Sequence, residues 1–176
     1  MGRLTALLAL ALCTCTAPQR VPSTGHAYTV AFVDGAETGW QPWQRRALEA
    51  ALPALAETGD RWLLGDEATA DLVVHAYVAR ACTTHAGVYV LDSRRVYLDP
   101  ACVAGPQALQ WAFLHEALHF VTWQRAGWAG HVCEGHEAAD CTALVRGPSV
   151  LAPAVPEYPD PHLTETDREL LRQLGR

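Results

Sequence analysis

The chain has 176 residues, of which half are hydrophobic, enough for one domain with a sizeable core. Its thirteen basic residues are all arginine, and nineteen acidic ones bring the formal charge to −6. With no basic stripe and no interleaving of basic and aromatic residues, nucleic-acid binding is excluded as an expected function.

Residues 1–15 read as an export signal, with Arg3 as the charged start and Leu4 to Leu12 as the apolar stretch. That stretch is too short to span a bilayer as a helix. Leu10-Ala11-Leu12-Cys13 and Leu12-Cys13-Thr14-Cys15 both resemble the cleavage box of bacterial lipoproteins, although that box has a small residue where Leu12 or Thr14 stands here. The resemblance implies lipidation at Cys15, with Cys13 as the alternative. It also implies an exported protein anchored to a membrane through lipid only, in the periplasm or at the cell surface; free secretion is the rival. Residues 16–25, rich in Pro, Ser, Thr and Gly, form a tether, and residues 26–176 a single domain expected to be a monomer.

The elements follow in order. His26 to Val33 alternates and is rich in β-formers, predicting a first strand. Pro42 opens a helix to about Glu57, with Trp43, Ala47, Leu48, Ala51, Leu52 and Leu55 on one face and Pro53 expected to kink or divide it. Arg61 to Leu64 is a short strand, and Ala70 to Val78 carries the strongest strand signal. His75 within it reads as a packed or edge histidine rather than a ligand. Gly87–Leu91 and Arg95–Asp99 predict a hairpin around Asp92-Ser93-Arg94. A long buried helix, about 106–126, comes next, opened by Gly105-Pro106 and stopped by Gly127. A last helix follows Leu163, capped by Thr164 and ended by Gly175. Strands followed by one long buried helix make an α+β pattern.

Outside the signal, Cys82, Cys102, Cys133 and Cys141 are an even set in an oxidising compartment. Sequence neighbours suggest Cys82–Cys102 and Cys133–Cys141, among three possible pairings. The rival is a structural zinc knot of His131, Cys133, His136 and Cys141.

The long helix contains H-E-x-x-H at His115, Glu116 and His119. Residues four apart share a helix face, so two imidazoles can grip one ion and leave room for a third ligand and a water. Glu116 points about 100° round the helix, beside the pair, where it can serve as a general base. The flanks (Trp111, Ala112, Phe113, Leu114, Leu118, Phe120, Val121) are apolar on nearly every side, and a buried His-Glu-His cluster without an ion would leave polar groups unsatisfied.

This order of elements resembles the catalytic half of zincin metallopeptidases, and the tail resembles their metzincin branch. Ser149-Val150-Leu151-Ala152-Pro153 is similar to the turn Ser-Ile-Met-x-Pro beneath the metal, and Leu163-Thr164-Glu165-Thr166-Asp167 to the start of the C-terminal helix. The likeness covers roughly 27–175, and the zinc helix is its specific part. It implies a small twisted, mostly parallel sheet with an antiparallel edge hairpin, a buried H-E-x-x-H helix and a C-terminal helix. Where metzincins have Gly and a third His, this chain has Thr122 and Arg125, and Leu151 stands where the turn carries Met.

The third ligand is therefore expected after Gly127, among His131, Glu134, His136, Glu137 and Asp140. His131, behind the flexible Gly127-Trp128-Ala129-Gly130, ranks first. His136, five residues before Cys141, is spaced as in archaemetzincins and ranks second. Glu137 would resemble the carboxylate-type zincins.

The expected function is a zinc-dependent peptidase acting on a peptide or protein substrate through a metal-activated water, with Glu116 as general base. His85 and Tyr158 are weak oxyanion candidates, read better as surface residues. The hairpin edge could take an extended peptide as an added strand. Two alternatives stand beside this: a non-catalytic exported binding or structural lipoprotein on a zincin scaffold, and a protein in which zinc is purely structural.

Overall fold

The computed structural model describes residues 20–78, 87–91, 93–132, 147–152 and 160–175. Five strands form one sheet: β1 (Ala27–Val33), β2 (Arg61–Leu64), β3 (Leu72–Ala76), β4 (Gly87–Val90) and β5 (Arg95–Leu98), in the order β2-β1-β3-β5-β4. The pairs β1–β2, β1–β3 and β3–β5 are parallel, and β4 runs antiparallel to β5 at the edge. This is the α+β class expected, mostly parallel with an antiparallel edge hairpin. β3 is shorter than the sequence suggested. Asp71 lies just before it and accepts from the backbone and hydroxyl of Thr29, pinning its start to β1.

The first helical stretch is divided as Pro53 requires, since proline cannot donate into a helical ladder. It consists of α1 (Pro42–Ala50), α2 (Leu52–Leu55) and a 3₁₀ turn over Ala56–Thr58. Trp43, expected on the apolar face, is 38% exposed; Gln44 takes a buried place instead, its side chain accepting from the Gln41 N–H.

The long helix α3 (Pro106–Ala126) crosses the sheet and is buried almost all round from Leu109 to Thr122, as a helix without a polar face must be. Phe113 meets Phe32 edge-on, and Phe120 packs against Tyr28, Trp62 and Tyr89, so its rings reach β1, β2 and β4. Gly127 closes the helix in the left-handed region with φ 64°. The last helix, α4 (Glu165–Leu174), docks through Leu170 and Leu171. Among the described residues, no helix is long and apolar enough to cross a membrane.

Candidate metal centre

His115, His119 and His131 each offer a ring nitrogen, and these atoms all lie within 4.8 Å of one another. Two come from one face of α3, as i and i+4 spacing dictates. The third arrives from beyond Gly127. His131 forms an isolated β-bridge, and the next residue fixes its segment: the Val132 N–H donates to the Leu151 carbonyl at 3.0 Å. The His131 ring centroid is 5.3 Å from that of His115 and 5.0 Å from that of His119.

The tautomer of His115 follows from its partner. Its Nδ1 lies 2.7 Å from the Val150 carbonyl, which can only accept, so Nδ1 carries the proton and Nε2 keeps its lone pair. That Nε2 stands 3.1 Å from Nε2 of His119. Burial first, and then the neighbouring His115 and His131, push the pKa of His119 down to about 2. His119 is thus neutral, which is the form that ligates. Its Nδ1 is buried with no hydrogen-bond partner among the described residues.

A divalent ion suits this donor set: three imidazole nitrogens within 4.8 Å of one another, two of them facing each other at 3.1 Å, with His119 held neutral. The tripod of nitrogens on its own shows a site that could hold a metal.

Glu116 is only 6% exposed, and the Tyr89 N–H on β4 donates to its carboxylate. Burial pushes its pKa up to about 8, against the smaller opposing pull of that donor. A carboxyl so placed can hold a proton near neutral pH and release it readily.

Behind the histidines lies a clamp that the residue pattern hinted at without revealing its purpose. Asp167, fully buried, accepts from the Ser149 hydroxyl, from the Val150 N–H at 3.1 Å, and from the N–H and hydroxyl of Thr164, both at 2.8 Å. One carboxylate thus caps α4 and fixes the 149–152 turn whose Val150 carbonyl orients His115. The Thr164-x-x-Asp167 spacing signals the cap. Nothing in the sequence signals the second grip.

Two of the three departures from the metzincin pattern, Thr122 and Arg125, have structural uses. The Thr122 hydroxyl donates back to the Leu118 and His119 carbonyls, at 3.0 and 3.2 Å, within an uninterrupted helix. Arg125 pairs with Asp60 at 2.9 Å and donates to the Thr58 carbonyl at 2.6 Å, so this position braces the helix against the 3₁₀ turn.

Other candidates lie apart. His75 sits on β3, stacked on Tyr97 at 5.1 Å, in keeping with a packed histidine. Cavities of about 910 Å³, beside Tyr28, Arg125 and Leu171, and about 510 Å³, beside Pro53 and Arg168, contain neither Glu116 nor any of the three histidines. His85, Glu134, His136, Glu137, Asp140, Tyr158, Cys13, Cys15, Cys82, Cys133 and Cys141 fall outside the described residues. Cys102 is disulfide-bonded, and Cys82, its predicted partner, lies outside the described residues.

No protein-family model matches the chain, and no curated protein does. Among solved structures, the chain is similar to the crystal structure of archaemetzincin from Methanopyrus kandleri, with 13% identity over 85% of this chain and 95% of that one, and a TM-score of 0.48.

Proposed function

We propose that the protein is a zinc-dependent peptidase with His115, His119 and His131 as the metal ligands and Glu116 as the general base. The observation that carries this reading is the convergence of three imidazole nitrogens within 4.8 Å, on a helix that also carries Glu116. A zinc ion held there would supply Lewis acidity, polarising a peptide carbonyl and lowering the pKa of a water.

The protein's own groups have distinct tasks. His115, kept in one tautomer by the Val150 carbonyl, presents Nε2. His119, held neutral by burial, presents its own Nε2. Glu116 takes the proton of the attacking water and passes it to the leaving amine, a shuttle that suits a carboxyl with a raised pKa. β4, the edge of the sheet among the described residues, lies beside Glu116 and is where an extended peptide would join as an added strand.

The test is chelator-sensitive cleavage of an unfolded protein together with zinc content. One zinc per chain, with activity lost on chelation and restored by zinc, is the expected result. Zinc without cleavage favours the non-catalytic scaffold. Unfolding on chelation favours a purely structural ion. The export signal and lipid anchor at Cys15 belong to the same proposal and rest on the sequence of residues 1–15.

A further inference from the structure

Strand β4 alternates in the ordinary way: Gly87 and Tyr89 are buried, Val88 and Val90 exposed. Gly87 is not among the glycines with positive φ, so its backbone does not demand glycine. The demand is for space. A Cβ at this position would come within 2.3 Å of Leu98 Cδ2, and within 3.1 Å of both Cγ and Oε1 of Glu116. Leu98 is fully buried and Glu116 nearly so, which leaves little room for either to retreat.

The same stretch touches Glu116 a second time. The Tyr89 N–H donates to the carboxylate. In an antiparallel ladder, residues two apart turn their backbone groups the same way and their side chains to the same face. Gly87 and Tyr89 therefore act together, one offering a donor and the other withholding a side chain. Close approach of another group is a recognised reason for glycine inside a strand.

We propose that Gly87 is a positioning residue for Glu116: its missing side chain is the space in which the carboxylate is seated, against the edge strand that would carry the substrate. The role in catalysis rests on the peptidase reading, whereas the seating does not. A misplacement of about 1 Å at a reacting group can cost about 100-fold, and an alanine methyl asks Glu116 to move by less than that. Gly87→Ala should therefore lower kcat about 10-fold. KM should stay close to its starting value, because the exposed side chains of Val88 and Val90 are unchanged.

The decisive experiment is a double-mutant cycle by thermal unfolding of the full chain, free of metal and with zinc, using Gly87→Ala, Glu116→Ala and the pair. The fall in Tm caused by Gly87→Ala should shrink clearly when Glu116→Ala removes the group it presses on. Additive losses at 87 and 116, with all relief coming from Leu98→Ala, would overturn the proposal. So would an unchanged kcat in an active Gly87→Ala protein. Should Gly87→Ala not fold, the same cycle is run on Leu98→Ala, where the methyl has room and the contact with Glu116 remains. A parent protein that cleaves nothing would remove the peptidase reading, while the cycle would still decide where the carboxylate is seated.

Discussion

Asp167 and Glu116 are both carboxylates withdrawn from water, yet they are furnished in opposite ways. Asp167 accepts from two hydroxyls and two backbone N–H groups, and in doing so joins the 149–152 turn to α4. Glu116 lies against β4 with the Tyr89 N–H as its described donor, and burial makes its charge unfavourable. Asp60 belongs with Asp167, since Thr24, Thr58 and Arg125 all donate to it. A buried carboxylate surrounded by donors is fixed in place and holds structure. One left short of them gains and loses a proton easily, and that is a property chemistry can use.

The largest expected effect breaks this contrast on the Glu116 side. Glu116→Gln keeps the shape and the Tyr89 contact but cannot take a proton. Peptide cleavage should fall by about 100-fold or more, with zinc content unchanged by metal analysis. Retained cleavage would refute Glu116 as the base.

On the other side, Asp167→Ala should destabilise the fold by about 3 kcal/mol, because it strands several buried donors at once. Denaturant unfolding measures this. Zinc affinity should weaken about 10-fold as the turn that orients His115 loosens. A stability change under about 0.5 kcal/mol, the range of ordinary surface substitutions, would show that the clamp holds nothing.

The metal-free protein separates the two kinds of group by pH. The folded pKa of Glu116, about 8, lies above its ordinary 4.5, so between those values the folded state binds more protons than the unfolded one. Stability from this group therefore falls as pH rises from about 4.5 to about 8. His119, at about 2 instead of 6.5, works the other way, and its contribution is lost as pH falls below 6.5. Metal-free Glu116→Gln should consequently gain Tm over the parent on going from pH 5 to pH 8. An unchanging difference would contradict the raised pKa. The smallest effect is expected at Gly127, where φ is 64°: Gly127→Ala should lower stability by about 1–2 kcal/mol without changing zinc content.

Much of the scaffold was legible because it is written locally. Pro106 and Gly127 mark the ends of α3, the apolar flanks mark its burial, and the β-formers mark β1, although its buried run Val30-Ala31-Phe32 does not alternate. The i, i+4 spacing alone brings His115 and His119 together. His131 could be suggested only from residue type and a flexible approach, because its place depends on a backbone pairing with Leu151. The grip of Asp167 on Ser149 and Val150, and the closeness of Gly87 to Glu116, arise between segments whose meeting no periodicity records. Trp43 departs from its expected place for a related reason, since a helical stripe says which residues share a face but not where the face ends.

The separate origin of the third imidazole sets an order of events for the nascent polypeptide. Two nitrogens meet as soon as a single turn of α3 winds, whereas the carbonyl that orients one of them lies 35 residues downstream and is itself anchored by a side chain 17 residues later still. Closing such loops costs chain entropy that grows with their length, whereas the two histidines of one turn need no long loop closed. If the tripod takes a metal as proposed, its full grip comes only after α4 has docked behind the 149–152 turn.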